Sequence, residues 1–146
     1  MSQSFAAPAQ QTFPTLAAFE DFAATFARTL HPGDVVALSG DLGAGKTTFV
    51  RAAVNARHGG EKTSSPTFTF WHRYPGDPPI DHLDLYRVDD PRDVRELGLE
   101  EAFDGSSIAF VEWWTHAPQL VPDRRFEIVI TGAGDQPRIV TLRAPA

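Results

Sequence analysis

In the run Gly40-Asp41-Leu42-Gly43-Ala44-Gly45-Lys46-Thr47-Thr48, four residues separate Gly40 from Gly45, and a lysine and a threonine follow directly. That spacing is the one a phosphate-cradling loop requires. Gly40, Gly43 and Gly45 allow backbone conformations closed to residues with a Cβ, so that successive N–H groups turn inward on a phosphate. A helix starting here adds the partial positive charge of its N-terminus. Lys46 is then placed to reach β and γ phosphates, and the Thr47 hydroxyl to sit on Mg²⁺. Residues 40–48 are therefore the candidate nucleotide-binding loop.

A phosphate loop alone transfers nothing; it needs an acid for the metal and a group that orients the attacking oxygen. Glu112 closes the apolar run Ile108-Ala109-Phe110-Val111, and the C-terminal end of a buried strand is where ligands of an open α/β sheet gather. Asp81 and Asp84 stand three apart in IDHLDLYR, so an extended chain sends them to opposite faces and at most one meets the nucleotide. Ser64-Ser65-Pro66-Thr67 is a hydroxyl cluster stiffened by proline. Ser65, Pro66 and Thr67 read either as a switch-like segment against the metal and γ-phosphate or as the turn entering a strand.

These residues need a frame. Val35 to Leu38 is a short apolar run suited to a buried parallel strand, and Phe49, Val50, Ala53 and Val54 recur at helical spacing after the loop. Leu16, Phe19, Phe22, Phe26 and Leu30 predict an amphipathic helix that stops at His31-Pro32-Gly33. Strand-like density runs from Thr63 to Arg73, Pro75 to Pro79 is a turn, Ile80 to Arg87 is extended, Val94 to Phe103 a short helix and Ser107 to Trp113 a strand. Phe126 to Thr131 and Arg138 to Leu142, parted by GAGDQP, read as an antiparallel hairpin. The expected fold is an α/β three-layer sandwich of the P-loop NTPase type, its mixed sheet carrying a C-terminal antiparallel hairpin at one side. Residues 1–146 read as one domain, with 1–12, rich in Gln, Ser, Ala and Pro, as a flexible tail.

Thirteen Lys and Arg against nineteen Asp and Glu give a formal charge of −6. A chain so acidic is poorly suited to gripping a nucleic-acid backbone unaided, so any RNA would be met through a partner. The clusters Arg87, Arg92, Arg95 and Arg124, Arg125 read as solvated surface. Cysteine is absent, which excludes a disulfide framework and thiolate chemistry. No apolar run approaches a membrane span and the first residues lack the pattern of a secretion signal, so a cytoplasmic location with no membrane association is expected.

In order and spacing, SGDLGAGKTTFVRA, SSPTFTF, HLDLYR, LGLEEAF and VEWW closely resemble the bacterial TsaE family of tRNA threonylcarbamoyladenosine biosynthesis proteins, over roughly residues 14 to 143. The resemblance implies a small Mg²⁺-dependent ATPase that works with the partner proteins TsaD and TsaB and meets tRNA through that complex; alone it is expected to be slow, since no obvious arginine finger stands next to the site. It implies Thr47 and Glu112 as magnesium ligands and Lys46 as the phosphate lysine. Asp84 is the acid of the DLYR motif, Ser65 to Thr67 the switch-like segment, and Trp113 the family tryptophan beside the glutamate. Lys46, Asp84 and Glu112 are thus the candidate catalytic residues, and Thr47, Glu112 and Asp84 the candidate metal site. Which carboxylate acts as base stays open. Two positions depart from the family pattern: Trp114 stands where proline usually follows VEW, and Phe19 stands about where a threonine is often found. Phe13 is a candidate to pack on the adenine, against the alternative of a staple to the core. Trp71, Trp113 and Trp114 are read as packing. A small-molecule kinase would need an acceptor pocket, and only DDPRDVREL offers arginines for a lid; a nucleotide-gated binding module would not need hydrolysis at all.

Overall fold

A computed structural model describes residues 9–41, 43–59 and 70–145. Leu42, Ser65, Pro66 and Thr67, and residues 1–8 of the expected tail, lie outside the described residues.

The described residues run β1 (Ala9–Phe13), α1 (Leu16–Arg28), β2 (Val35–Ser39), α2 (Lys46–His58), β3 (Trp71–Tyr74), β4 (Ile80–Asp84), α3 (Asp93–Glu96), β5 (Ile108–Glu112), β6 (Phe126–Thr131) and β7 (Arg138–Arg143), with short 3₁₀ segments at Leu99–Phe103, Trp114–His116 and Pro118–Leu120. The seven strands among the described residues form one sheet in the order β1-β7-β6-β2-β5-β4-β3. The inner strands β6, β2, β5 and β4 are parallel, and β7 and β3 turn antiparallel on either side. The expected hairpin is β6–β7. Beyond that expected hairpin, β3 pairs antiparallel with β4 at the other edge, because the short turn after β3 cannot span a parallel crossover.

Two helices cover one face. α1 starts where the Thr15 side chain accepts from the Ala18 N–H at 3.1 Å, a serviceable N-cap. It buries Phe19, Ala23, Phe26 and Ala27. α2 ends on Gly59 at φ +70°, whose N–H reaches the Asn55 carbonyl at 2.9 Å. Arg57 of α2 donates to the carbonyls of Ala27 and Leu30 at 2.9 and 3.0 Å, closing the orphaned end of α1. The fully buried Phe49 meets the rings of Phe19, Phe22, Phe26 and Phe110 at the centre of this layer.

The layer on the other face contains no long helix among the described residues. Val88, Val94, Leu99, Ala102, Ala117 and Val121, from α3, the 3₁₀ turns and loops, pack there on Val35, Leu83, Ala109 and Val111. The predicted helix Val94 to Phe103 is broken at Gly98, which takes φ +71° between α3 and a 3₁₀ turn. The predicted strand Ile80 to Arg87 stops at Asp84, where the Asp84 carboxylate accepts from the Tyr86 N–H at 3.0 Å and turns the chain.

Residues 9–12, read as tail, belong instead to β1, which pairs with β7 from Ala9↔Leu142 to Phe13↔Arg138. Phe13 is 6% exposed and packs on Phe19 and Phe22, ring centroids 6.5 and 4.9 Å apart. It packs in the core as the staple reading expects.

Candidate functional site

Because β2, β4 and β5 are parallel and in register, Leu38, Asp84 and Glu112 end at the same edge of the sheet. The strand–loop–helix unit β2–α2 opens there. Gly45 takes φ +111°, and a Cβ on it would press on the Phe19 ring at 3.2 Å; Gly40, at φ +151°, would place one 2.5 Å from the Ile130 carbonyl. Phe19 is thus the floor of the loop, filling a place with no room for a larger residue at Gly45.

A cavity of about 370 Å³ lies in front of the loop, lined by Gly43, Gly45, Lys46, Thr47, Thr48, Asp84, Tyr86, Glu112 and Trp113. Of the described loop residues, Gly40, Asp41 and Ala44 shape the backbone without lining it. Lys46 is 5% exposed, and its ammonium donates to the Gly40 and Asp41 carbonyls at 2.5 and 3.1 Å under the Trp113 ring, 4.5 Å from its centroid. Burial pulls its pKa below the ordinary lysine value, against the opposing pull of Glu112, Asp84 and Asp41.

Glu112 is 3% exposed. Its Oε2 accepts from the Thr47 hydroxyl at 3.1 Å and lies 2.5 Å from His82 Nε2. Asp84, across from Glu112 in the β4–β5 register, shares the cavity wall. Asp81 faces the opposite layer, as the strand period requires. There it accepts from Trp71 Nε1 at 2.8 Å, from Arg73 at 2.8 and 2.9 Å, and from the Ser107 hydroxyl at 2.5 Å. No group of three or more His, Cys, Asp or Glu is gathered for a metal among the described residues.

Trp113 takes a left-handed φ of +56° directly after β5 and leans on Tyr86, ring centroids 4.9 Å apart, so it belongs to the cavity wall as well as to packing. Trp71 is occupied by Asp81. Trp114 donates to the Ser39 hydroxyl at 3.0 Å and carries Arg125 over its ring at 4.4 Å. Trp114 therefore ties the exit of β5 to the last residue before the loop.

Sequence reasoning missed His82 and Arg138. His82 stands two residues before Asp84, and the strand period puts both on one face, so a signal was present. Arg138, which holds the Ala44 carbonyl at 2.9 Å from 94 residues away, left no local mark.

The fold and the site together define a mixed α/β protein whose glycine-rich strand-to-helix loop, lysine and hydroxyl face two carboxylates across a cavity. A family model described as threonylcarbamoyl adenosine biosynthesis protein TsaE matches residues 13–140. The tRNA threonylcarbamoyladenosine biosynthesis protein TsaE of Bacillus subtilis (strain 168) is 42% identical over 114 residues, 77% of this chain and 71% of that one. Its counterpart from Rickettsia bellii (strain RML369-C) is 39% identical over 126 residues, covering 84% and 86%. The crystal structure of Bacillus subtilis YdiB superposes with a TM-score of 0.75 at 34% identity, covering 95% of this chain and 88% of that one. The chain belongs to the TsaE family, whose members are tRNA threonylcarbamoyladenosine biosynthesis proteins. No helix among the described residues is long and apolar enough to cross a membrane.

Proposed function

We propose that this chain is a Mg²⁺-dependent P-loop ATPase whose cycle of ATP binding and hydrolysis supports tRNA threonylcarbamoylation through TsaD and TsaB, in the cytoplasm. The observation that carries this is the meeting of Lys46, Thr47, Asp84 and Glu112 on one cavity beside Gly43 and Gly45. In this reading the glycine-loop N–H groups hold the phosphates. Lys46 exchanges the Gly40 and Asp41 carbonyls for phosphate oxygens, a stronger charge-assisted contact. Thr47 and Glu112 offer a hydroxyl and a carboxylate, the hard oxygen donors Mg²⁺ prefers. An ion that uses one or two carboxylates plus phosphate and water needs no larger cage. Bound there, with Asp84 on its water shell, Mg²⁺ would supply charge neutralisation for phosphoryl transfer. His82 holds Glu112 in place from behind.

No arginine lines the cavity among the described residues, so turnover by the chain alone should be slow and partner-stimulated. The net charge of −6 supports tRNA being held by the partner complex. The test is threonylcarbamoylation of tRNA in a reconstituted mixture with TsaD and TsaB, while ATP consumption is followed. Repeated rounds that need this chain and ATP are expected; equal modification without the chain would refute the reading.

A further inference from the structure

The end of β6 and the start of β7 back onto the glycine-rich loop. Gly40 packs on the Ile130 carbonyl, and Arg138, 8% exposed, reaches across to Ala44. The guanidinium donates through Nε to the Ala44 carbonyl at 2.9 Å, and through its terminal nitrogens to the carbonyls of Gln136 and Gly134 at 2.6 and 3.2 Å. No carboxylate among the described residues lies within ion-pair distance of it. A buried charge answered only by carbonyl dipoles is costly, and a bare staple could be built from a neutral side chain. The peptide it grips belongs to the loop. In a trans peptide the N–H points opposite the C=O, so a carbonyl held on the Arg138 side turns the Gly45 N–H away from it, toward the cavity that Gly45 lines. A cation on the carbonyl also polarises the peptide and makes that N–H a stronger donor.

We propose that Arg138 is a positioning residue for phosphate: it fixes the Ala44–Gly45 peptide with its N–H turned into the cavity and strengthens that N–H toward the anion. This rests on the nucleotide-binding reading above. The test compares the full chain with Arg138→Gln and Arg138→Lys by calorimetric titration with ADP, and by following the Gly45 amide resonance in ¹⁵N-labelled protein during the same titration. Wild type should bind ADP with a downfield move of the Gly45 proton. Arg138→Gln should bind at least tenfold more weakly with a smaller move, and Arg138→Lys, which keeps a charge without the fork, should fall between. A folded Gln variant with wild-type affinity and a full Gly45 shift would overturn the inference, even if its melting temperature fell. Should the Gln variant not fold, the same result in the Lys variant would overturn it. Absence of ADP binding by wild type would bring down the nucleotide reading, and this inference with it.

Discussion

Asp81 and Asp84 leave the same strand three residues apart and end in opposite circumstances on the two faces of the sheet. Asp81 is wholly buried and takes hydrogen bonds from Trp71, Arg73 and Ser107, which pin β3, β4 and the start of β5 together. Asp84, with Glu112 beside it, is nearly as buried but faces a cavity shared with Lys46 and Thr47. Burial therefore does not distinguish an acid enclosed by protein donors from one that faces a cavity. What distinguishes them is what the carboxylate faces: a ring of protein donors that saturates it, or a space where a ligand can enter.

The largest effect that would sharpen this contrast is on stability. Asp81→Ala removes the carboxylate that the Arg73 guanidinium, the Trp71 N–H and the Ser107 hydroxyl share. It should cost about 3–5 kcal/mol in urea denaturation, scaled down to the extent that Arg73 is solvent-screened. Nucleotide affinity of the folded fraction should stay within about twofold of wild type. Asp84→Asn should do the reverse, lowering ATP turnover on the order of 100-fold while moving the urea midpoint little. A large stability loss in Asp84→Asn would break the comparison.

His82→Ala removes the group behind Glu112 and should reduce turnover by about 10- to 100-fold, as loss of an outer partner of a ligand does. His82→Gln, which can still donate, should recover part of it. The smallest effect is expected at Trp114→Phe, which keeps the ring under Arg125 but loses the bond to Ser39. About 1 kcal/mol of stability should go, read by urea denaturation, with turnover nearly unchanged.

The site was legible where its chemistry is local. The glycine spacing of residues 40–45 announces the loop. The apolar run ending on Glu112 marks a strand end, and the strand period separates Asp81 from Asp84. Legibility fails where a distant partner decides. Gln10, Gln11 and Thr12 are exposed and polar, and only their pairing with β7 makes them a strand. Phe13 before a helix suits a staple to the core more than a base, and only the fold shows that Phe19 and Phe22 are the rings it meets. Gly98 interrupts a helical pattern whose apolar residues continue on both sides. The grip of Arg138 on Ala44 has no counterpart in the neighbouring sequence.

The most direct measurement is Mg²⁺-dependent ATP turnover by Glu112→Ala and Asp81→Ala side by side with wild type, each at a temperature where its urea curve shows it folded. Glu112→Ala should lose about 100- to 1,000-fold, with a urea midpoint lowered because His82 and Thr47 lose their acceptor, and Asp81→Ala should keep its turnover on a weakened fold. Undiminished hydrolysis by Glu112→Ala would contradict the assignment of this cavity as the site where ATP is used.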